Sequence, residues 1–205
     1  MSEDVDPRAL QQDLDRIKDA MGIAERYESA PEQWLLFSVL VAAGSAVSQV
    51  LLFARAAGFW YPVVWVGLFG AGSLVLSRRY DYAFGPGHSE PNVGFQILVV
   101  YFGSFAALSA VDPFLPELGY LADNALTLGL VAVMLGLGYL VAGETLKAYR
   151  IRARDRYVLH GGGLLLVALG VAIPTVDVLH TWSYAAFGAS YVVYAAASYL
   201  VLTRT

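Results

Sequence analysis

The sequence predicts an all-α integral membrane bundle, six transmembrane helices preceded by a short cytoplasmic amphipathic helix. Three observations carry this reading. The 205 residues are 58% hydrophobic and 15% charged, with mean hydropathy +0.57, whereas soluble domains are about 45–50% apolar and about 25% charged. The apolar residues fall in six continuous runs without alternation, and in lipid only helices or closed barrels bond every backbone group. Charge is also segregated. Residues 1–32 hold nine acids and four bases, and residues 33–205 hold eight acids and nine bases.

The composition excludes several classes at once. There is no cysteine, so a disulfide scaffold and a thiolate-ligated zinc or iron–sulfur site are impossible. Such a high apolar content is incompatible with a disordered chain. The acidic start, Met1-Ser-Glu-Asp-Val-Asp6, lacks the basic region of a signal peptide, so no cleaved signal is expected.

The first unit, residues 1–32, reads as a solvated acidic segment containing one helix. Asp6 suits the N-cap and Pro7 the first turn. Leu10, Leu14, Ile17, Met21 and Ala24 recur at steps of 4, 3, 4 and 3, a heptad seam. Gly22 weakens the helix and Pro31 ends it. Two uses fit the seam: a coiled coil that joins a second copy or a membrane-protein partner, or a helix lying under its own bundle. Its net acidity disfavours adhesion to anionic lipid.

The second unit, residues 33–205, carries the predicted spans in order: 33–54, 59–77, 93–111, 124–143, 157–173 and 181–202. Each approaches the ~20 residues that cross a bilayer. Arg55 and the stretch Gly58-Phe-Trp-Tyr-Pro62 divide the first two into a hairpin, because proline disfavours helix at the residue before it. Asp112-Pro113 ends the third span and Pro174 the fifth. With the N-terminus cytoplasmic, the inner loops and tail hold Arg78, Arg79, Lys147, Arg150, Arg152, Arg154, Arg156 and Arg204, and the outer loops hold only Arg55. This asymmetry places both termini in the cytoplasm and the chain in the cell membrane. Small-residue pairs Gly44/Ser48, Gly67/Ala71, Gly138/Ala142 and Ala185/Ala189 are read as packing faces. Glycines also coincide at a period of 59, at Gly44, Gly103 and Gly162 and at Gly70, Gly129 and Gly188, the pattern three hairpins from one ancestral unit would leave.

No ionisable residue falls at the centre of a predicted span, which argues against a proton pump, a voltage sensor or a carboxylate-based ion carrier. Uncharged polar residues do enter the spans. Gln49, Gln96, Tyr139 and Tyr191 are candidate lining for an uncharged or lipid-like solute, or else interhelical glue. Lys147, Arg150, Arg152, Arg154 and Arg156 form the densest basic cluster and are candidate contacts for anionic headgroups. Nucleic acid is not an expected partner, because no folded basic module is present. Asp177 and His180, three apart, could share a helical face with Asp112 or Asp123 nearby, as a weak metal or catalytic cluster. His160-Gly-Gly-Gly163 imitates an oxyanion-hole string but lacks the G-x-S-x-G partner it requires. No cofactor is expected.

With two lysines against eleven arginines and an acidic N-terminal segment, the composition resembles that of haloarchaeal proteins. A helix of the type Ile17-Lys-Asp-Ala-Met21 ahead of the first span resembles prokaryotic multi-pass membrane proteins of that origin. The resemblance implies no activity and assigns no site residues. The expected role is a non-enzymatic scaffold, accessory subunit or sensor. A transporter or channel for an uncharged or lipid-like solute is the alternative, and a membrane enzyme using Asp177 and His180 the third reading.

Overall fold

The computed structural model describes residues 10, 12, 13, 17, 30–80, 93–114, 116–148 and 153–203. Six helices form the bundle: α1 (Ala30–Phe53), α2 (Trp60–Tyr80), α3 (Val93–Val111), α4 (Tyr120–Ala148), α5 (Ala153–Thr175) and α6 (Asp177–Thr203). A 3₁₀ turn, Asp112–Phe114, follows α3. Leu10, Gln12, Asp13 and Ile17 are helical. Leu14, Met21, Ala24, loop 85–91 with His88, Arg150 and Arg152 lie outside the described residues, as does the side chain of Lys147.

Four helices are long and apolar enough to cross a membrane, over Trp34–Phe53, Tyr120–Thr145, Ala153–Thr175 and Asp177–Thr203. They are α1, α4, α5 and α6, and they form the centre. The closest pairing is α4 with α5, followed by α1 with α6, and α6 also touches α4 and α5. The other two helices flank this centre, α2 against α1 and α3 against α4, and their apolar stretches are shorter, Trp60–Val75 and Val99–Val111. Successive helices alternate in direction, so the bundle has a basic end, with Arg78, Arg154 and Arg156, and an acidic end, with Glu117, Asp123 and Asp177.

One helix boundary differs from expectation at a proline. Pro62 lies inside the first turn of α2, which begins at Trp60 and includes Tyr61. Proline is tolerated there because first-turn N–H groups have no intrahelical acceptor. Pro31 likewise sits in the first turn of α1. Pro174 falls within α5, one residue before its end at Thr175. The α1–α2 turn closes with Ala56 N–H donating to Leu51 C=O at 3.0 Å and Arg55 N–H to Leu52 C=O at 3.2 Å. Arg55 takes the left-handed conformation this C-cap requires, φ 49°, and its guanidinium lies over the Tyr120 ring, 5.9 Å from the centroid.

The surface is apolar on every side. Val39, Val141, Leu164 and Val193, on four different helices, are 61–70% exposed, and Val66 on α2 and Val99 on α3 are exposed too. Water tolerates no such continuous apolar surface, whereas lipid is its natural solvent. The interior in turn holds polar and small residues: Ser38, Ser45, Ser48, Gln49, Ser104, Ser183 and Ser198 are all buried.

Glycine sets the closest approach. A Cβ on Gly129 would lie 2.6 Å from the Gly170 carbonyl oxygen, and the reverse distance is also 2.6 Å; Gly136 and Gly163 meet the same way at 2.6 and 2.8 Å. The spacing is seven residues on both α4 and α5, and a third step on α4 brings Gly143 under the His160 ring, where an added Cβ would lie 2.7 Å from Cε1. This heptad glycine seam allows backbone-to-backbone contact between the two helices. The period-59 glycines share no such role, since Gly70 and Gly103 face open space while Gly129 and Gly188 are tightly opposed. On α6 the expected packing face is reversed. Tyr184, Phe187 and Tyr191 are buried, and Ala189 and Ala196 are exposed. Gly67 and Ala71 on α2 are exposed as well.

Gly136→Ala places a methyl group against a backbone oxygen that has nowhere to move, and it should lower stability by roughly 1–3 kcal/mol. Gly103→Ala, in open space, should be neutral or gain up to about 1 kcal/mol from helix propensity. Unfolding of both variants in the same detergent measures the contrast.

Candidate functional site

The polar chemistry of the bundle gathers where α1, α4 and α6 meet. Gln49 is 7% exposed, and its carboxamide faces a break in α6. At Trp182 the backbone leaves the helical region, with φ −111° and ψ 22°. Gln49 Nε2–H donates to the Thr181 carbonyl at 2.7 Å, and the Ala185 N–H donates to Gln49 Oε1 at 3.0 Å. A side chain inserted into the helical ladder is an established cause of a kink, and one carboxamide here meets one backbone acceptor and one backbone donor. On the same interface, a Cβ on Gly188 would lie 2.6 Å from the Cβ of Ser45. Any residue larger than glycine at 188 would push α1 and α6 apart there.

A column of aromatic rings runs the length of the bundle. At the acidic end, the Tyr61 and Tyr120 hydroxyls are hydrogen-bonded at 3.1 Å, and Tyr61 stacks on Tyr184 with centroids 5.3 Å apart. Trp65 continues the α2 stripe and meets Phe187 edge-on at 6.2 Å. Toward the basic end, the Tyr139 and Tyr191 hydroxyls are hydrogen-bonded at 3.0 Å. Trp34 packs between Tyr139 and Tyr194, at 6.0 and 6.1 Å, and the Tyr194 O–H donates to the Val158 carbonyl. Each of these hydroxyls thus finds a protein partner, as buried phenols usually do, whereas the buried Tyr101 hydroxyl on α3 has none among the described residues.

The predicted lining residues separate. Tyr139 and Tyr191 come together and border a crevice of about 10 Å³ with Leu166, Phe187 and Tyr194, room for about one water. Gln49 is used at the α6 kink. Gln96 is half-buried on α3 and does not border that crevice.

At the basic end, His160 ties α5 to α4. Its Nδ1 lies 2.7 Å from the Arg156 carbonyl, and its Nε2 lies 3.1 Å from Glu144 Oε1. The glycines after His160 serve packing: Gly162 lies beneath the Tyr194 ring and Gly163 against Gly136. Of the predicted headgroup cluster, Arg154 and Arg156 are described, both half-buried in the first turn of α5. At the acidic end, His180 Nε2–H donates to the Pro174 carbonyl at 3.0 Å, and Asp177 is exposed. Among the described residues no group of three or more His, Asp or Glu side chains is placed to hold a metal ion.

Sequence reading identified Gln49, Tyr139 and Tyr191 as polar intruders but not their partners. The α6 break gives little local signal, because Thr181, Trp182 and Ser183 include neither proline nor glycine. The residues it missed are Gly136 and Gly163. Their seven-residue spacing from Gly129 and Gly170 is visible in the sequence, hidden among smaller-period pairs.

Tyr139→Phe and Tyr191→Phe should each lower stability by about 0.6 kcal/mol and by no more than ~1.7 kcal/mol. Because the two hydroxyls share one bond, the double variant should lose clearly less than the sum of the singles. A double-mutant cycle on unfolding in detergent measures this, and additive losses would show that the hydroxyls act separately.

No known protein family, curated protein or solved structure matches the chain.

Proposed function

We propose that the chain is a six-span protein of the cell membrane, with both termini cytoplasmic, and that it works as a scaffold or accessory subunit that assembles through its N-terminal helix. The observation that carries this reading is the state of the seam. Leu10 and Ile17, seven residues apart on one helical face, are 55% and 56% exposed. A helix lying under its own bundle would bury them. Two apolar residues exposed one heptad apart match a second copy of the same helix. Fewer than three heptads make a marginal dimer in solution, but anchoring both helices to a membrane raises their effective concentration.

Six spans are supported by the way the flanking helices pack. Trp65 and Leu68 of α2 lie on Gly44, and Leu40 lies on Gly72, so α2 runs alongside the membrane-length helix α1. Val100 of α3 lies on Gly138 of α4 in the same manner. Helices docked along spanning neighbours occupy the same hydrocarbon layer. Basic residues at one end and acidic residues at the other favour a cytoplasmic basic end, where Arg154 and Arg156, with Lys147, Arg150 and Arg152, are candidate partners for anionic headgroups.

A conduit role has less support. Gln49 and the Tyr139–Tyr191 pair satisfy one another or the backbone, which leaves them little capacity to solvate a passing solute.

Leu10→Asp with Ile17→Asp in the full chain tests the assembly role. Sedimentation equilibrium in a mild detergent should show an oligomer for the native protein and a monomer for the double variant, with unchanged bundle stability. Equal masses for the two proteins would refute it.

A further inference from the structure

We infer that α6 is a two-state helix, kinked at Trp182 while Gln49 is inserted and able to close its own ladder when the carboxamide withdraws. The argument rests on which groups Gln49 bridges. In a continuous α-helix the N–H of residue i bonds the carbonyl of residue i−4, so the Ala185 N–H and the Thr181 carbonyl are natural partners. Those are the two groups the carboxamide joins, at 3.0 and 2.7 Å. Straightening the helix hands each group to the other, and no backbone polar group is stranded in hydrocarbon. The kinked and straight forms therefore differ mainly in where one side-chain amide goes.

The withdrawn amide has partners on the same two helices. Ser45 and Ser48 on α1 and Ser183 on α6 are 2%, 0% and 0% exposed, and their hydroxyls have no hydrogen-bond partner among the described residues. Ser45 is one turn from Gln49, Ser48 is its chain neighbour, and Ser183 lies between the two backbone groups it bridges. A buried polar group left unpaired in one packing and paired in another lowers the energy of the second. Two packings separated by a small gap are what a conformational switch requires.

The moving part is the segment from Asp177 to Trp182. Trp182 packs edge-on against Phe53 of α1, with centroids 5.4 Å apart and rings at 88°, and His180 holds the Pro174 carbonyl at the end of α5. The glycine seam between α4 and α5 takes no part, so the core stays rigid while the acidic end of α6 swings.

The absence of native cysteines allows a clean test in the full chain. Spin labels at Leu121→Cys on α4 and Val178→Cys on α6, both exposed positions, report the distance across the acidic end in lipid nanodiscs. Gln49→Leu should raise the ratio of the second distance to the first by roughly tenfold, about what two membrane-interior hydrogen bonds are worth together. Phe53→Ala, which leaves the amide intact and removes the ring holding Trp182, should shift the same ratio in the same direction by less. It decides the matter should Gln49→Leu fail to fold. A single unchanged distance in every folded variant overturns the proposal.

Discussion

A polar group buried in hydrocarbon has no water to bond, so a partner within the protein lowers its energy and an unmade bond is costly. That constraint organises this bundle. The backbone satisfies it by coiling into helices, and where α6 breaks at Trp182, the carboxamide of Gln49 supplies the missing continuity from the neighbouring helix. Four phenols satisfy it in pairs, Tyr61 with Tyr120 and Tyr139 with Tyr191, while the buried Tyr101 hydroxyl has no partner among the described residues. At the more exposed basic end, His160 and Glu144 link α5 to α4.

The same solvent removes the usual reason for helices to associate. Lipid tails are as apolar as leucine, so cohesion comes from close packing and internal hydrogen bonds. The bundle uses two contrasting devices for this. Between α4 and α5, glycines at seven-residue spacing bring backbone against backbone. Among α2, α6 and α1, large rings do much of the packing, from Tyr61 and Trp65 to Phe187 and Trp34. The α1–α6 interface also carries the Gln49 carboxamide and buried serine hydroxyls that have no partner among the described residues.

Much of the fold was legible in the sequence because it is written in composition. Continuous apolar runs mark all six helices, and Asp112-Pro113 marks the end of α3 within a residue. Proline misled at Pro62, where α2 already includes Trp60 and Tyr61, because its cost depends on position within the helix and the first turn carries almost none of it; Pro174 marks the end of α5 within a residue. Packing faces were the least legible. A stripe of alanines on α6 and the Gly67/Ala71 pair look like contact faces, yet Ala189, Ala196, Gly67 and Ala71 are exposed. Small residues permit close approach only where a neighbour supplies a complementary small surface, and that neighbour cannot be read from one helix alone. The polar residues of the candidate site were legible one by one. Their pairings, across 52 residues for Tyr139 with Tyr191 and 132 for Gln49 with Thr181, follow from helix arrangement alone.

The proposed assembly role rests on three features: an apolar exterior, a carboxamide and phenol pairs that are used up inside the bundle, and the exposed Leu10 and Ile17. All of this depends on the helices crossing the bilayer in alternating directions. Single cysteines placed in turn at Gly58, Leu118, Ser77 and Ala153 of the cysteine-free chain, probed in intact cells with a membrane-impermeant maleimide, test that most directly. The account predicts labelling at positions 58 and 118, and at positions 77 and 153 only after the membrane is permeabilised. Labelling of all four positions in intact cells would contradict it.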